Sequence, residues 1–127
     1  MTIYYFGNPL FSLDSMAPKV VETLKEQHAD ISFCHTDPTE QWWQGERNPI
    51  LIDTVVGLDT VHLFRSLESF EDMPRRITPH DYDLLMDLSL LLKIKKIESF
   101  ALIGLPEKGN ITKIIQQVDA LITHMNT

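Results

Sequence analysis

Three residues with side chains able to bind a metal stand where strand-like or helix-like segments end or begin. Asp14 follows an apolar strand and a Gly-Asn-Pro loop, Asp53 ends the apolar run 50–53, and His80 opens a leucine-rich segment. In an open α/β sheet, such positions converge beyond the carboxyl ends of the strands. Two carboxylates and one imidazole suit zinc, nickel or another divalent first-row metal, with positions left open for water or a substrate group. The three residues therefore predict a metal site at this edge of the sheet.

Each of these residues also has a simpler interpretation when it is taken alone. Asp14 stands where a helix N-cap is expected, and capping contributes about 1 kcal/mol. Asp53 could begin a turn, although a carboxylate that ends a buried strand is costly without a partner. His80 follows Pro79 and could be an ordinary residue of a first helical turn. The spacing by itself does not choose between these roles and the metal site.

The elements that must position these residues alternate between strands and helices. β-Branched and aromatic runs predict strands at residues 3–6, 31–35, 50–56, 61–64 and 100–103. Apolar residues at helical spacing predict helices at residues 14–29, from 79 onward and at 111–125, and a short helix carrying Trp42 and Trp43 is expected after Asp37. Residues 66–77 are predicted to form a charged loop.

The short gap between the third and fourth strands predicts that they pair as an antiparallel hairpin. Strands that alternate with helices otherwise form a mostly parallel sheet between helix layers. The sequence therefore predicts an α/β fold, a three-layer sandwich whose mostly parallel five-stranded sheet has one antiparallel strand. All of residues 1–127 are expected to form a single domain.

Composition narrows the classes of function. Hydrophobic residues make up 43% and charged residues 23% of the 127 residues, as in soluble globular proteins. The formal charge of −7 argues against nonspecific binding to nucleic acid or to an anionic membrane surface. The sequence has no apolar run of about 20 residues, and its first residues read as a strand rather than a signal peptide. A single cysteine, Cys34, fits a reducing compartment, so a cytoplasmic protein without a membrane or nucleic-acid partner is expected.

The motifs, in their order along the whole chain, resemble those of the nickel–iron hydrogenase maturation endopeptidases. Residues 7–10 (Gly-Asn-Pro-Leu) followed by Asp14 resemble the family's opening Gly-Asn-x-Leu-x-x-Asp-Asp/Glu motif. Residues 50–55 resemble its apolar strand ending in Asp-Ala-Val, and residues 78–80 (Thr-Pro-His) resemble its Ser-x-His before a Leu-rich helix. Residues 104–106 (Gly-Leu-Pro) match part of its Gly-Ile-Gln-Pro.

This resemblance implies a phosphorylase/hydrolase-like fold and a specific activity. Members of the family remove a C-terminal extension from the precursor of the hydrogenase large subunit after nickel insertion. The metal-binding and catalytic positions of the family correspond to Asp14, Asp53 and His80 in this chain. The resemblance implies a metal-dependent endopeptidase, with nickel supplied by the precursor and zinc or cadmium able to substitute. The expected partner is that precursor, and a monomer is expected.

The chain also departs from the family pattern. Leu13 occupies the first acidic position of the opening motif, and Ser15 and Ala17 stand where the family prefers glycines. The family's Asp-Gly-Gly-Thr after the second strand is replaced by His35–Pro38. A second hypothesis therefore stands beside the first: a divergent, non-catalytic homologue that binds a metalloprotein precursor as a maturation factor. A third, a peptidyl-tRNA hydrolase, is disfavoured because the Arg-His-Asn that follows the Gly-Asn-Pro start in that class and a basic surface are both absent.

Other reactive or aromatic side chains have weaker claims to function. Cys34 and His35 are neighbours on a strand, so their side chains are predicted to point to opposite faces and not to form a dyad. Trp42 and Trp43 are expected to pack on the core, or else to anchor a partner protein. Arg75 and Arg76 are expected to be solvated, or to meet an acidic tail. His28 and His124 are expected to be solvated near helix ends and His62 to lie in the hairpin, with no special role for any of the three.

Overall fold

A computed structural model describes the backbone of residues 1–37, 40–71 and 79–125, and their side chains except those of residues 70, 71 and 79–82. The strands are β1 (Thr2–Phe6), β2 (Ser32–Thr36), β3 (Ile50–Thr54), β4 (His62–Phe64) and β5 (Ala101–Leu105). The helices are α1 (Met16–Gln27), α2 (Leu67–Glu71), α3 (Pro79–Lys93) and α4 (Ile111–Met125), and a 3-10 turn covers Ser12–Asp14. Arg75 and Arg76, discussed above, lie outside the described residues.

The five strands form one sheet in the order β2-β1-β3-β5-β4. β1 pairs in parallel with β2 and with β3, and β3 pairs in parallel with β5. Only β4 runs in the opposite direction, along β5. The predicted α/β fold with a mostly parallel sheet and one antiparallel strand is confirmed.

The predicted β3–β4 hairpin is wrong, because β5 lies between these two strands. Every residue of β5 is buried, as suits an interior strand, whereas β4 begins with the exposed residue His62 and suits an edge. The connection through residues 55–61 is long enough to pass the end of one strand, a span of about 10 Å. The burial of β5 therefore decides which strand lies beside β3, although β4 is closer to β3 in sequence.

Helices cover both faces of the sheet and give the predicted three layers. On one face, α1 and α4 pack against strand residues such as Ile3 and Ile52. On the other face, α3 packs against Tyr4, Leu51 and their neighbours. Side chains alternate between the two covered faces along each strand, which explains why β1 and β3 are buried at every residue but the first. Within the described residues, no helix has the length and apolar character that a bilayer crossing requires.

The segment with the two tryptophans is not the short helix that was predicted, and residues 41–49 form no helix or strand. Trp42 is buried, and its ring meets the rings of Tyr4 and Phe6 edge-on at centroid distances of 5.3 and 5.8 Å. Its indole N–H donates to Asp87 on α3, and that of Trp43 donates to the carbonyl of Glu46. The prediction that the pair packs on the core is confirmed for Trp42.

Three smaller predictions also need correction. The predicted loop at 66–77 contains the helix α2, whose start is capped where the Ser66 hydroxyl accepts the N–H of Ser69. Ile111, the first of the apolar residues whose helical spacing predicts this helix, is 39% exposed because it lies at the first position of α4. His28, expected to be solvated, is half-buried and pairs through Nε2 with Asp119, so it links α1 to α4.

Candidate active site

The carboxyl ends of β1 and β3 lie side by side and form a topological switch point. From β1 the chain passes through α1 to β2 on one side, while β3 lies on the other side of β1. The chain leaves the two neighbouring strands in opposite directions, and ligands of open α/β sheets bind in the crevice at such a point. Asp14 follows β1, and Asp53 is the fourth residue of β3. Both therefore lie at the edge that sequence reasoning predicted.

Asp14 is held by the loop that joins β1 to α1. The Asn8 backbone N–H donates to both the carbonyl and the Oδ2 carboxylate oxygen of Asp14, at 3.1 and 3.0 Å. Gly7 makes this close approach feasible: its φ is +134°, and a Cβ there would lie 2.5 Å from the Asp14 carbonyl oxygen. The carboxylate is half-buried and fixed by the backbone, so it is pre-oriented for a ligand.

The prediction that Asp14 caps α1 is wrong. Ser15 occupies the N-cap position and makes no capping bond with its side chain. The backbone N–H of Ala17, in the first turn of α1, instead donates to the Thr54 hydroxyl at 3.0 Å, and this contact is buried. Thr54 thus ties the start of α1 to the end of β3. Thr54 is next to Asp53 in sequence, and Ala17 is three residues after Asp14. Sequence reasoning missed Thr54, although strand alternation places it on the α1 face, opposite to Asp53.

Asp53 is completely buried within β3, so the alternative in which it begins a turn is wrong. Strand alternation directs it to the same face as Leu51, the face that α3 covers. Its register partner on β5 is Gly104, where a Cβ would come within 2.9–3.1 Å of Phe64, Leu58 and Val55. Asp53 is therefore a fully buried acidic residue at a closely packed position of the carboxyl edge.

His80 belongs to the first turn of α3, and its side chain lies outside the described residues. The direction of the helix follows from its neighbours. Leu92 near the end of α3 lines the same groove as Phe100, which precedes β5. β5 starts at the edge opposite to its carboxyl end, and α3 is about 22 Å long. The backbone of His80 is therefore at the carboxyl-edge end of α3.

The metal site stays a prediction in its full form. Among the side chains that the structure describes, no three from His, Cys, Asp and Glu are close enough together to hold a metal ion. The predicted ligand set, however, includes the imidazole of His80, which is not among them. The described part of the site consists of Asp14 in its loop and Asp53 in its strand, both at one edge of the sheet.

A cleft of about 530 Å³ opens at the ends of β1 and β2. The lining consists of Gly7, Asn8, Pro9, Phe11, Asp14, His35, Thr36, Asp37 and Glu40. Asp14 lies in this cleft, whereas Asp53 is not among the described residues that line it. His35, Thr36 and Asp37, at the end of β2 and just after it, thus form one wall of the cleft. Three carboxylates make its lining acidic.

His35 links the two walls of this cleft. Its ring stacks on Tyr5 with centroids 4.8 Å apart, and its Nε2 lies 2.7 Å from the carbonyl oxygen of Gly7. A carbonyl only accepts, so Nε2 carries the hydrogen in this contact. Cys34 packs on the opposite face with the Tyr4 cluster. The prediction that Cys34 and His35 form no dyad is confirmed.

The Asp87 carboxylate connects α3 to residues 41–49, the segment with the two tryptophans, by accepting the Trp42 indole N–H. Burial raises the pKa of its carboxyl, the hydrogen bond from the Trp42 indole lowers it, and the negative charge of Asp83 raises it further. On the same face, burial and then the hydrogen bond to Glu46 raise the pKa of the Tyr4 phenol. These contacts anchor the tryptophan segment between the sheet and α3.

Two solved structures resemble this fold, although no family model and no curated protein matches the sequence. The hydrogenase maturating endopeptidase HybD from E. coli superposes with a TM-score of 0.66 over 98% of this chain and 94% of its own, at 20% identity. An endopeptidase from Escherichia coli, solved in solution, gives a TM-score of 0.58 over 84% of this chain and 74% of its own, at 19% identity. The fold implied by the sequence motifs is confirmed: the chain has the fold of HybD.

Proposed function

We propose that the protein is a metal-dependent endopeptidase that removes the C-terminal extension of a nickel hydrogenase large-subunit precursor after metal insertion. One observation carries the proposal: the acidic residues of the first two motifs, Asp14 and Asp53, lie at the carboxyl edge of a sheet that has the HybD fold over 98% of the chain. A shared fold can carry different functions, so the proposal depends on this combination of fold and site residues.

In this proposal the precursor brings its own Ni²⁺, which Asp14, Asp53 and His80 bind. Held by these residues, the ion would supply Lewis-acid chemistry, either polarisation of the scissile carbonyl or activation of an attacking water. The Asn8 N–H holds the Asp14 carboxylate in position before the substrate arrives. Asp53 contributes a carboxylate that burial has stripped of water, so its attraction to a cation is stronger than at an exposed site. Zinc or cadmium would fill the same ligand set.

Cleavage of a nickel-loaded precursor tests the proposal. Mass spectrometry should show loss of the C-terminal tail with the wild-type protein and none with His80→Ala or Asp53→Asn. His62→Ala is the matched control, because His62 is an exposed histidine on the edge strand β4, and it should cleave like the wild type. Cleavage by His80→Ala at the wild-type rate would remove His80 from the site.

Metal titration tests the three proposed ligands independently of the cleavage reaction. Ni²⁺ or Cd²⁺ should bind the wild-type protein and bind more weakly to Asp14→Ala, Asp53→Ala and His80→Ala. Equal affinity of all four proteins would refute the ligand set, whatever the outcome of the cleavage assay.

A second function, binding of a metalloprotein precursor without cleavage, is favoured by the wall of the cleft. In this wall His35, near the end of β2, donates to the Gly7 carbonyl and stacks on Tyr5, at a position where the sequence departs from the family motif. Leu13 also replaces an acidic residue beside Asp14. A stable complex with the precursor, in which the tail stays intact, would decide for this function.

A further inference from the structure

Three large apolar side chains stand in the solvent on the loop that carries Asp14. Leu10 is 90% exposed, Phe11 65% and Leu13 59%. Single exposed apolar residues are ordinary, but a contiguous group marks an interaction surface. We refer to residues 10–13 as the apolar loop.

Hydrogen bonds hold the apolar loop in one shape. The Leu10 N–H donates to the Asn8 side-chain oxygen at 2.9 Å, and the Phe11 N–H donates to the Asn8 carbonyl at 3.1 Å. The Asp14 N–H closes the turn on the Phe11 carbonyl at 2.9 Å. A loop fixed in this way loses little conformational entropy when a partner covers it. The same bonds fix the distance between the apolar side chains and Asp14.

The charges beside the apolar loop restrict what can cover it. Phe11 lines the cleft together with Asp14, Asp37 and Glu40, and the whole chain has a formal charge of −7. These carboxylates repel an anionic lipid surface and an acidic protein surface. They are compatible with an apolar patch whose surroundings are neutral or basic.

We infer that the apolar loop is the docking element for the folded precursor, where it binds an apolar patch with neutral or basic surroundings. The inference rests on the proposed function, since the precursor is the partner whether the protein cleaves it or only binds it. Docking at residues 10–13 brings the partner next to Asp14, and it works equally for cleavage and for binding without cleavage. It contributes to precursor affinity and not to the chemical step.

The test measures the Kd for the nickel-loaded precursor. The variant Leu10→Ser/Leu13→Ser should bind about 10- to 100-fold more weakly, as is typical of residues at the centre of an interface. The matched control is Met86→Ser/Leu90→Ser on α3, where the side chains are 54% and 56% exposed, and it should bind within about twofold of the wild type. If the double loop variant does not fold, Leu10→Ser alone provides the same test.

Each other outcome has a distinct meaning. Unchanged affinity of the loop variant, or equal weakening by both variants, would overturn the inference and leave the proposed function intact. A wild-type protein that does not bind the precursor would overturn both. If the protein sediments with phosphatidylcholine vesicles and the loop variant does not, the apolar loop binds a membrane, and the inference of a protein partner is overturned. Where cleavage occurs, the loop variant should raise KM and leave kcat unchanged, because docking stabilises substrate and transition state equally.

Discussion

Replacing Thr54 by valine tests the contact that joins the start of α1 to the end of β3. Thr54 is 4% exposed, and its hydroxyl accepts the N–H of Ala17 at 3.0 Å. The first N–H groups of a helix have no partner within the helix, and Ser15 does not cap this one. Valine keeps the shape of the side chain but accepts no hydrogen bond. The substitution therefore leaves a buried N–H unsatisfied.

The expected loss follows from the cost of that N–H. A buried donor left without an acceptor costs about 1–3 kcal/mol of the free energy of unfolding. Unfolding entropy near the midpoint is about 2.1 cal/mol/K per residue, which for this chain gives about 0.27 kcal/mol/K. The midpoint Tm should consequently fall by about 4–11 °C. Thr54→Ser keeps the hydroxyl and loses one methyl group, so its loss should be about 0.5–1.5 kcal/mol.

Calorimetry or circular dichroism measures these midpoints. Thr60→Val is the matched control, because Thr60 is exposed and its hydroxyl bond to Gln117 is long at 3.3 Å. Its Tm should stay within about 2 °C of the wild type, as for most surface substitutions. If Thr54→Val melts with the control, Thr54 does not cap α1, and the inferred link between the start of α1 and the end of β3 is refuted.

Three further predictions concern Gly104, Gly7 and Asp87. Gly104→Ala should lower the free energy of unfolding by about 1–3 kcal/mol in urea titrations, because the added Cβ meets Phe64 at 2.9 Å; an unchanged midpoint would contradict this packing. Gly7→Ala should weaken Cd²⁺ binding in calorimetric titrations as well as stability, since it strains a φ of +134° and clashes with the Asp14 carbonyl; wild-type affinity would show that the loop adapts. Asp87→Asn tests pH dependence: burial raises the Asp87 pKa above its ordinary 3.8, so the native state holds this proton more tightly than the unfolded state. The stabilisation from this proton is complete below pH 3.8 and is lost as the pH rises through the raised pKa. The stability of the wild type relative to Asp87→Asn should therefore fall across that window. Urea midpoints of the two proteins that stay parallel with pH would refute the shift.

Part of the candidate site could be predicted because it depends on chain direction. Asp14 and Asp53 were expected at the carboxyl edge from their positions after apolar strands, and the structure has both there. Their local roles could not be read in this way. Ser15 takes the N-cap position, and the cap of Ala17 comes from Thr54, which is distant in sequence. The role of His80 stays a prediction.

The sequence by itself determined the elements whose signals are local. The period of apolar residues marked α1, α3 and α4, and the β-branched runs marked the strands, because a repeat of 3.6 or 2 residues states which side of a segment must be buried.

Tertiary structure decided everything that depends on competition between distant segments. β5 rather than β4 pairs with β3, because the residues of β5 are more completely buried. Trp42 does not lie in the expected helix and instead packs on Tyr4 and Phe6. The exposure of Leu10 and Leu13 likewise appears only after folding, since their loop lies outside both cores. A sequence pattern specifies which side chains must be buried, but which partners bury them is a comparison of free energies over the whole chain.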